Sequence, residues 1–418
     1  MQCRNFRSAG LRLLGSVVAL LVSACGPLER FDAVPVELEE TAVVHDLENI
    51  RFWADDDDIA GMLHAGQEAL RREQEYLAQS GHQGPLPPAE FLAISGGGEN
   101  GAFGAGLLVG WTAAGTRPTF KLVTGISTGA LTAPFAFLGP DYDDELREVY
   151  TGITSADVLE ERGILAALFQ DAMADNAPLR ATIARLFDQA MLDAIAAEHR
   201  KGRILLIGTT NLDARRPVIW NIGAIAESGQ PGALDLVHDI LLASAAIPGA
   251  FPPVMIDVAA NGKVYQEMHV DGGASTQVFV YPPSLNVRKS GVVRERRLYV
   301  IRNARLDPDW AQVERSTMSI AGRAISSLIQ TQGVGDLFRI YLTAQRDGLD
   351  FHLAYIPRTF TRTLAEPFET AYMQELFQLG YDMAVKGFPW ATTPPGFAVP
   401  EGLPPQAQTG PLAIASAR

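Results

Sequence analysis

A serine flanked by glycines is the first residue of the sequence that could act as a nucleophile. Gly125-Ile126-Ser127-Thr128-Gly129 has the pattern G-x-S-x-G, between an apolar run at 120–124 and a helical pattern at 128–137. Between a strand and a helix this pattern is typical of a nucleophile elbow, a tight turn that exposes the serine Oγ. Gly125 and Gly129 are expected there because such a turn leaves no room for a Cβ atom. The chemistry indicated is acyl transfer through Ser127.

A glycine-rich segment upstream could supply backbone amides to that serine. Gly96, Gly97 and Gly98 follow a predicted strand at 91–95 and precede a predicted helix at 102–114, an arrangement that directs N–H groups toward a negative charge. The segment also fits G-x-G-x-x-G, but the acidic residue that a dinucleotide site needs after the next strand is absent. A βαβ crossover makes the two strands parallel and brings their carboxyl ends to one edge. The glycine amides are therefore predicted beside Ser127, where a tetrahedral oxyanion needs donors.

Two candidates for the base that activates the serine lie in the segment Met268-His269-Val270-Asp271-Gly272-Gly273. The Asp-Gly-Gly turn places a carboxylate at the end of a strand, although Asp271 could equally be an ordinary turn residue. His269 lies two residues earlier and would share its strand face. No separate acid is marked to orient that imidazole, so a packed or surface position is the expectation for His269.

These motifs, in this order, resemble those of the patatin-like phospholipase family. The resemblance implies an α/β fold with three α/β/α layers and a mostly parallel central sheet, and a Ser-Asp dyad of Ser127 and Asp271. It also implies an oxyanion hole at the glycine loop. The residues that carry the resemblance further are the elbow and supporting positions Gly125, Gly129, Ser244, Pro248, Gly272 and Gly273. Asn100 stands where the family usually has Arg or Lys, so a positive charge that would attract a phosphate headgroup is absent, and neutral lipids or simple esters become more credible as substrates.

The function expected is therefore a serine lipid acyl hydrolase, a phospholipase or lysophospholipase that works through an acyl-enzyme. The alternatives are an acyltransferase using the same acyl-enzyme and a non-catalytic lipoprotein that binds lipid or a partner. No metal or cofactor is expected. The 34 Lys and Arg against 48 Asp and Glu give a net charge of −14, which argues against a nucleic-acid partner.

The amino terminus predicts a lipid anchor. Arginines at 4, 7 and 12 precede an apolar run at 13–22, which is too short to span a bilayer. Val22-Ser23-Ala24-Cys25 resembles the bacterial lipobox, in which the cysteine becomes the acylated first residue; a plain signal peptide is the alternative. Gly26 is not the Asp associated with inner-membrane retention. The prediction is a lipoprotein of the cell envelope, held in the outer membrane of a Gram-negative bacterium through Cys25.

Composition and periodicity divide the chain into five segments. Residues 141–200 are expected to form a helical cap, and further strands are predicted at 204–209, 297–302 and 351–356, with a final helix at 368–386. The segments are a signal peptide (1–24), a tether (25–50), an amphipathic helical lead-in (51–88), the acyl hydrolase domain (89–388) and a Pro-rich mobile tail (389–418).

Overall fold

Alternating strands and helices build a layered α/β structure. The computed structural model describes residues 30–55, 59–161, 171–308 and 310–397. The predicted signal peptide and Cys25 lie outside the described residues.

The main sheet is mixed, and its centre is parallel. Within the described residues it has nine strands, in the order β1-β7-β6-β3-β2-β10-β11, while β9 pairs with β6 and β8. The five strands β6, β3, β2, β10 and β11 run parallel, and the others join antiparallel. The strands are β1 (Arg51–Trp53), β2 (Ala89–Ile94), β3 (Leu122–Ile126), β6 (Ile204–Asn211), β7 (Arg216–Asn221), β8 (Val254–Ala260), β9 (Lys263–Asp271), β10 (Arg296–Arg302) and β11 (Asp350–Tyr355), with a separate short pair β4 (Glu160–Glu161) and β5 (Ala174–Asp175).

Helices cover both faces of this sheet. They are α1 (Ala60–Gln79), α2 (Gly101–Ala113), α3 (Thr128–Leu138), α4 (Asp143–Thr151), α5 (Ala177–Leu186), α6 (Gln189–Arg200), α7 (Ile222–Ser228), α8 (Ala233–Ala245), α9 (Thr317–Asp347) and α10 (Thr370–Val385). One apolar core includes α2, α3, α8 and α10, and the core on the opposite face includes the second half of α9. The predicted three-layer α/β/α class is therefore confirmed. None of these described helices is long and apolar enough to cross a membrane.

The central βαβ unit has the predicted form. The strands and helices expected at 91–95, 102–114, 120–124 and 128–137 are β2, α2, β3 and α3, each shifted by no more than two residues. β2 and β3 pair in parallel, with Ile94 opposite Gly125. The carboxyl ends of both strands therefore lie at one edge of the sheet, called here the active-site edge.

The segment predicted as a tether differs from that expectation over its described part. Arg30 binds the carboxylate of Asp213 at 2.8 Å, and Val43 pairs with Ala259 next to β8. β1, within the predicted lead-in, extends the sheet by pairing with β7. Residues 30–53 are thus packed on the domain.

The predicted tail also begins later than expected. The backbone of Ala391 pairs with Leu353 of β11 through two hydrogen bonds of 2.8 and 2.9 Å. Trp390 packs on Trp111 and Tyr299, with ring centroids 5.0 and 5.1 Å apart. Residues 389–391 therefore belong to the folded body, and 398–418 lie outside the described residues.

Candidate active site

Ser127 occupies a strained turn between β3 and α3. Its φ of 56° and ψ of −127° place it in the region that side chains rarely adopt. A Cβ atom on Gly125 would lie 2.3 Å from the carbonyl oxygen of Gly129, and one on Gly129 would lie 2.3 Å from that of Ile94. Only glycine fits at either position, which is the steric reason for the G-x-S-x-G spacing.

Ser244, at the end of α8, holds this turn in place. Its Oγ accepts a hydrogen bond from the Ser127 N–H at 3.0 Å and donates one to the carbonyl of Gly208 at 2.7 Å. Ser244, one of the supporting motif positions, therefore connects the serine turn to β6. Pro248 lies in the exposed turn after α8, where it bridges to Phe251.

Asp271 ends β9 with its side chain buried beside Ser127. The nearby Ser127 hydroxyl favours the ionised form of the Asp271 carboxylate and so lowers its pKa, and the N–H of Gly273 donates a hydrogen bond to the carboxylate at 2.7 Å. A Cβ on Gly272 would lie 2.6 Å from the carbonyl oxygen of Gly208, so this turn also requires glycine where it passes β6.

Burial sets the proton affinity of that carboxylate. Removal from water raises the pKa of Asp271 from 3.8 to about 6, and the Ser127 hydroxyl and the Gly273 N–H limit the rise. A carboxylate with a pKa near 6 is a better base than an exposed aspartate and is still ionised at neutral pH.

The glycine loop presents two amides next to the serine turn. The Gly96 N–H donates a hydrogen bond to the carbonyl of Gln277 at 3.1 Å. The prediction that all three glycines form the oxyanion hole is therefore corrected for Gly96, whose N–H is already occupied. No acceptor among the described residues bonds the N–H of Gly97 or Gly98. A Cβ on Gly97 would lie 2.2 Å from the carbonyl oxygen of Asn303, and Gly98 has a φ of +57°.

Asn303, just after β10, fixes the start of this loop, and the sequence reasoning missed it. Its N–H and Nδ2 donate to the hydroxyl and the carbonyl of Ser95 at 2.9 and 3.0 Å. Its Oδ1 accepts from the N–H of Gly104 in α2 at 3.1 Å. The sequence feature that could have indicated Asn303 is the polar pair Arg302-Asn303, which directly follows the apolar run of β10 at the edge where the site forms.

Gln277 joins the two halves of the site and was also missed. Its carbonyl holds Gly96, its Nε2 donates to the carbonyl of Gly273 at 2.8 Å, and its N–H donates to Asp336 at 2.7 Å. Arg302, buried at the end of β10, lies 3.4 Å from the carbonyl oxygen of Gly96. Burial lowers the pKa of Arg302 to about 10, so a cation lies directly behind the glycine loop.

An apolar pocket opens beside Ser127. It has a volume of about 880 Å³, including its opening to solvent. Ser127 and Gly98 lie on its wall together with apolar side chains from α3, α4 and α5, among them Leu131, Phe135, Val149, Leu179, Ile183 and Leu186. Ile247 and Phe251 close another side. Most of these apolar walls come from residues 131–187 and 247–251.

Residues 92–282 match the family model of patatin-like phospholipases. The chain contains a patatin-like phospholipase domain. Among curated protein sequences, no significant match was found.

Solved structures resemble the chain only distantly. VipD from Legionella pneumophila is 13% identical with a TM-score of 0.36, covering 72% of this chain and 66% of VipD. The type III effector protein ExoU is 13% identical with a TM-score of 0.30, covering 72% of this chain and 53% of ExoU. ExoU in complex with SpcU from Pseudomonas aeruginosa is 12% identical with a TM-score of 0.26, again covering 72% of this chain, and 52% of the other. The chain thus spans between half and two thirds of these proteins.

Glu99 and Asn100, the two residues that follow Gly98, also bear on the chemistry of the pocket. Asn100 accepts a hydrogen bond from the Tyr372 hydroxyl at 2.7 Å through its Oδ1. Glu99 lies on the pocket wall near the serine, burial raises its pKa, and no described residue forms an ion pair with it. The one ionisable group that this loop places on the pocket wall is therefore a carboxyl group.

His269 is a packed strand residue, as expected. It is fully buried, with Nδ1 3.0 Å from the Thr209 hydroxyl and Nε2 3.0 Å from a carboxylate oxygen of Glu267. Both ring nitrogens are thus occupied away from Ser127. The acid that orients the ring is Glu267, two residues earlier on the same strand face, and sequence reasoning overlooked it.

Glu267 belongs to a buried charge cluster behind the site. Burial alone would raise the pKa of Glu267, but hydrogen bonding to His269 and the charge of Arg51 hold it at about 2. Arg51 of β1 forms an ion pair with the same carboxylate. Across the described residues, no group of three His, Cys, Asp or Glu side chains is arranged to hold a metal ion.

Proposed function

We propose that this patatin-like domain is a serine lipid acyl hydrolase in which Ser127 is the nucleophile and Asp271 its base. The observation that carries the proposal is that Ser127, on the wall of an apolar pocket, lies at the strained turn beside the buried Asp271 carboxylate and lowers the pKa of that group. Fatty-acyl esters suit such a pocket because it offers the acyl chain apolar walls along three helices.

The reaction then runs in two acyl transfers. The Ser127 Oγ attacks the ester carbonyl carbon while its proton passes to Asp271, and the N–H groups of Gly97 and Gly98 stabilise the oxyanion. Collapse of the tetrahedral intermediate breaks the bond to the alcohol, which leaves with the proton from Asp271. Water then attacks the acyl-serine, giving its proton to Asp271, and the second collapse restores Ser127 and releases the fatty acid.

The pocket favours lipids whose alcohol part carries no excess negative charge. Glu99 lies on its wall, and Asn100 replaces the usual basic residue with a side chain bonded to Tyr372. Lysophospholipids with zwitterionic headgroups, monoacylglycerols and simple esters are therefore the substrates proposed first.

The test is ester hydrolysis by the purified full chain and matched serine variants. Ser127→Ala is expected to abolish turnover and labelling by a fluorophosphonate, while Ser80→Ala, which changes an exposed serine at the end of α1, should retain both. Circular dichroism of each variant controls for folding. Loss of turnover in His269→Gln with retention in Asp271→Asn would replace the dyad by a Ser-His system.

Two outcomes would redirect the proposal. A folded parent chain that binds lipid but is neither labelled nor active would be a lipid- or partner-binding lipoprotein. Acyl products formed on an added alcohol, in preference to free fatty acid, would make the domain an acyltransferase.

We further propose that the chain is anchored through an acylated Cys25 after loss of residues 1–24, and that it resides in the outer membrane. The support is the lipobox-like Val22-Ser23-Ala24-Cys25. Mass spectrometry of the amino-terminal peptide should find the acyl chains on Cys25, and Cys25→Ala should release the protein from the membrane fraction. An unmodified mature amino terminus would indicate a plain signal peptide.

A further inference from the structure

The first half of α9 lies clear of the body of the protein. Its large apolar side chains Ile320, Ile325 and Leu328 are 55%, 56% and 69% exposed. In the second half, Leu337 and Tyr341 are buried in the core beneath the sheet. One continuous helix is thus packed at one end and bare at the other.

The bare half is amphipathic, with its apolar face turned outward. At 3.6 residues per turn, Ile320, Ala324 and Leu328 fall in one row, with Ile325 alongside. Arg323, Ser326 and Gln330 fall on the other side. The sequence from 317 to 335 contains no Asp or Glu. An apolar stripe with arginine on the polar side and no carboxylate suits the surface of a membrane.

This stripe lies at the active-site edge of the sheet. α9 follows β10, which runs parallel to β2 and β3 and ends at the same edge. Where the bare half ends, the Gln332 side chain lies 3.4 Å from that of Gln277, the residue that joins the glycine loop to the Asp271 turn. Trp310, in the segment between β10 and α9, is 86% exposed, and tryptophan is enriched at membrane–water interfaces.

The amino-terminal attachment points the same way. Arg30 binds Asp213, which follows the carboxyl end of β6 and so also lies at the active-site edge. Arg30 is the fifth residue after Cys25, and five extended residues span at most about 17 Å. An acyl group on Cys25 would therefore hold this edge close to the bilayer.

We infer that Ile320, Ile325, Leu328 and Trp310, called here the α9 face, insert into the lipid surface and seat the pocket against the membrane from which it takes its substrate. The inference rests on the proposed lipid hydrolase function, since that function places the substrate in a bilayer. The face supplies the apolar area that the acidic protein needs there, because its net charge of −14 opposes adsorption to an anionic surface.

Catalysis provides the first test. The full chain with Ile325→Ser and Leu328→Ser is compared with the parent on phosphatidylethanolamine–phosphatidylglycerol vesicles and on a soluble short-chain ester. Turnover on vesicles should fall roughly ten-fold or more, because each side chain loses apolar burial, while turnover of the soluble ester stays unchanged. The matched control is Val293→Ser, which changes an exposed residue just before β10, at the opposite edge. Equal vesicle rates in parent and double variant would overturn the inference.

A second readout does not depend on catalysis. Vesicles with brominated acyl chains should quench part of the tryptophan fluorescence of the full chain, and Trp310→Phe should remove that part. If the parent hydrolyses no ester but its Trp310 fluorescence is quenched, the proposed function fails and membrane insertion of the α9 face stands. If the parent hydrolyses esters but its Trp310 fluorescence is not quenched, only the inference about the α9 face is overturned. A parent that sediments as a dimer and becomes a monomer on Leu328→Ser would show that a second copy covers the face, which also overturns the inference.

Discussion

Replacing Asp271 by Asn should make the protein more stable while removing its activity, and the stabilisation should depend on pH. Burial raises the pKa of Asp271 from 3.8 to about 6. The folded protein therefore holds this proton more tightly than the unfolded chain does, and ionisation of Asp271 opposes folding. Asparagine keeps the shape of the side chain and carries no charge.

The sign and size follow from the two pKa values. Below pH 3.8 both states are protonated, and Asp271 costs nothing through ionisation. The cost grows as the pH rises between 3.8 and 6, and above pH 6 it is complete at about 3 kcal/mol, since one pKa unit corresponds to about 1.4 kcal/mol. Asparagine keeps an Oδ1 that can accept from the Gly273 N–H, and the effect of Ser127 and Gly273 on the ionised form is already contained in the pKa of about 6.

The measurement is the free energy of unfolding in urea for the parent and Asp271→Asn, at pH 4 and at pH 8. The advantage of the variant should be larger at pH 8 by up to about 3 kcal/mol. Asp144→Asn, which removes an exposed carboxylate from the first turn of α4, is the matched control. In parallel, kcat/KM of the parent should rise with pH through about 6 as Asp271 loses its proton.

A difference between the two proteins that is the same at both pH values would refute this reasoning. So would an advantage that is larger at pH 4. Either result would mean that Asp271 ionises in the folded protein at least as easily as in water, and that burial does not raise its pKa to tune it as a base.

Three further changes test other parts of the site. Gly97→Ala should lower kcat by roughly 10²–10³ with little change in KM, because its Cβ would lie 2.2 Å from the carbonyl oxygen of Asn303 and displace the oxyanion amides; normal kcat would exclude this loop from catalysis. Arg51→Met should lower the free energy of unfolding in urea by about 3–5 kcal/mol, because it leaves the Glu267 carboxylate buried without the arginine that pairs with it. An unchanged urea midpoint would contradict that ion pair. Ile183→Trp should fill the apolar pocket and shift preference toward short acyl chains in a series of esters of increasing length, and an unchanged preference would place the acyl chain elsewhere.

The sequence predicts those parts of the site whose constraints are local. Gly125 and Gly129 are required by backbone atoms within a few residues of Ser127 or on the neighbouring strand, so their spacing survives as a motif. The same holds for the turn after Asp271. A βαβ unit has one allowed handedness, which is why adjacency of the glycine loop and the serine could be expected before any coordinates.

The supports of the site could not be predicted because their partners are distant in sequence. Asn303 and Ser95 are separated by 208 positions and Ser244 and Ser127 by 117, and nothing in their local sequence identifies the partner. The hairpin of β8 and β9 did leave a local signal, since Asn261-Gly262 between two apolar runs is a typical hairpin turn. α9 escaped prediction because the apolar residues of its first half are exposed and lie on a different side of the helix from the buried ones of its second half, so that no single apolar stripe runs through its length.

The pairing of Ala391 with β11 bears on how the domain can be shortened. β11 is the last strand on its side of the main sheet, and an uncovered outer strand offers its free N–H and C=O groups to other molecules. The backbone of Ala391 occupies those of Leu353, and Trp390 shields the neighbouring rings. A chain cut before residue 390 would expose this strand and acquire a tendency to self-associate, so crystallisation or assay forms of the protein should retain the residues through 397.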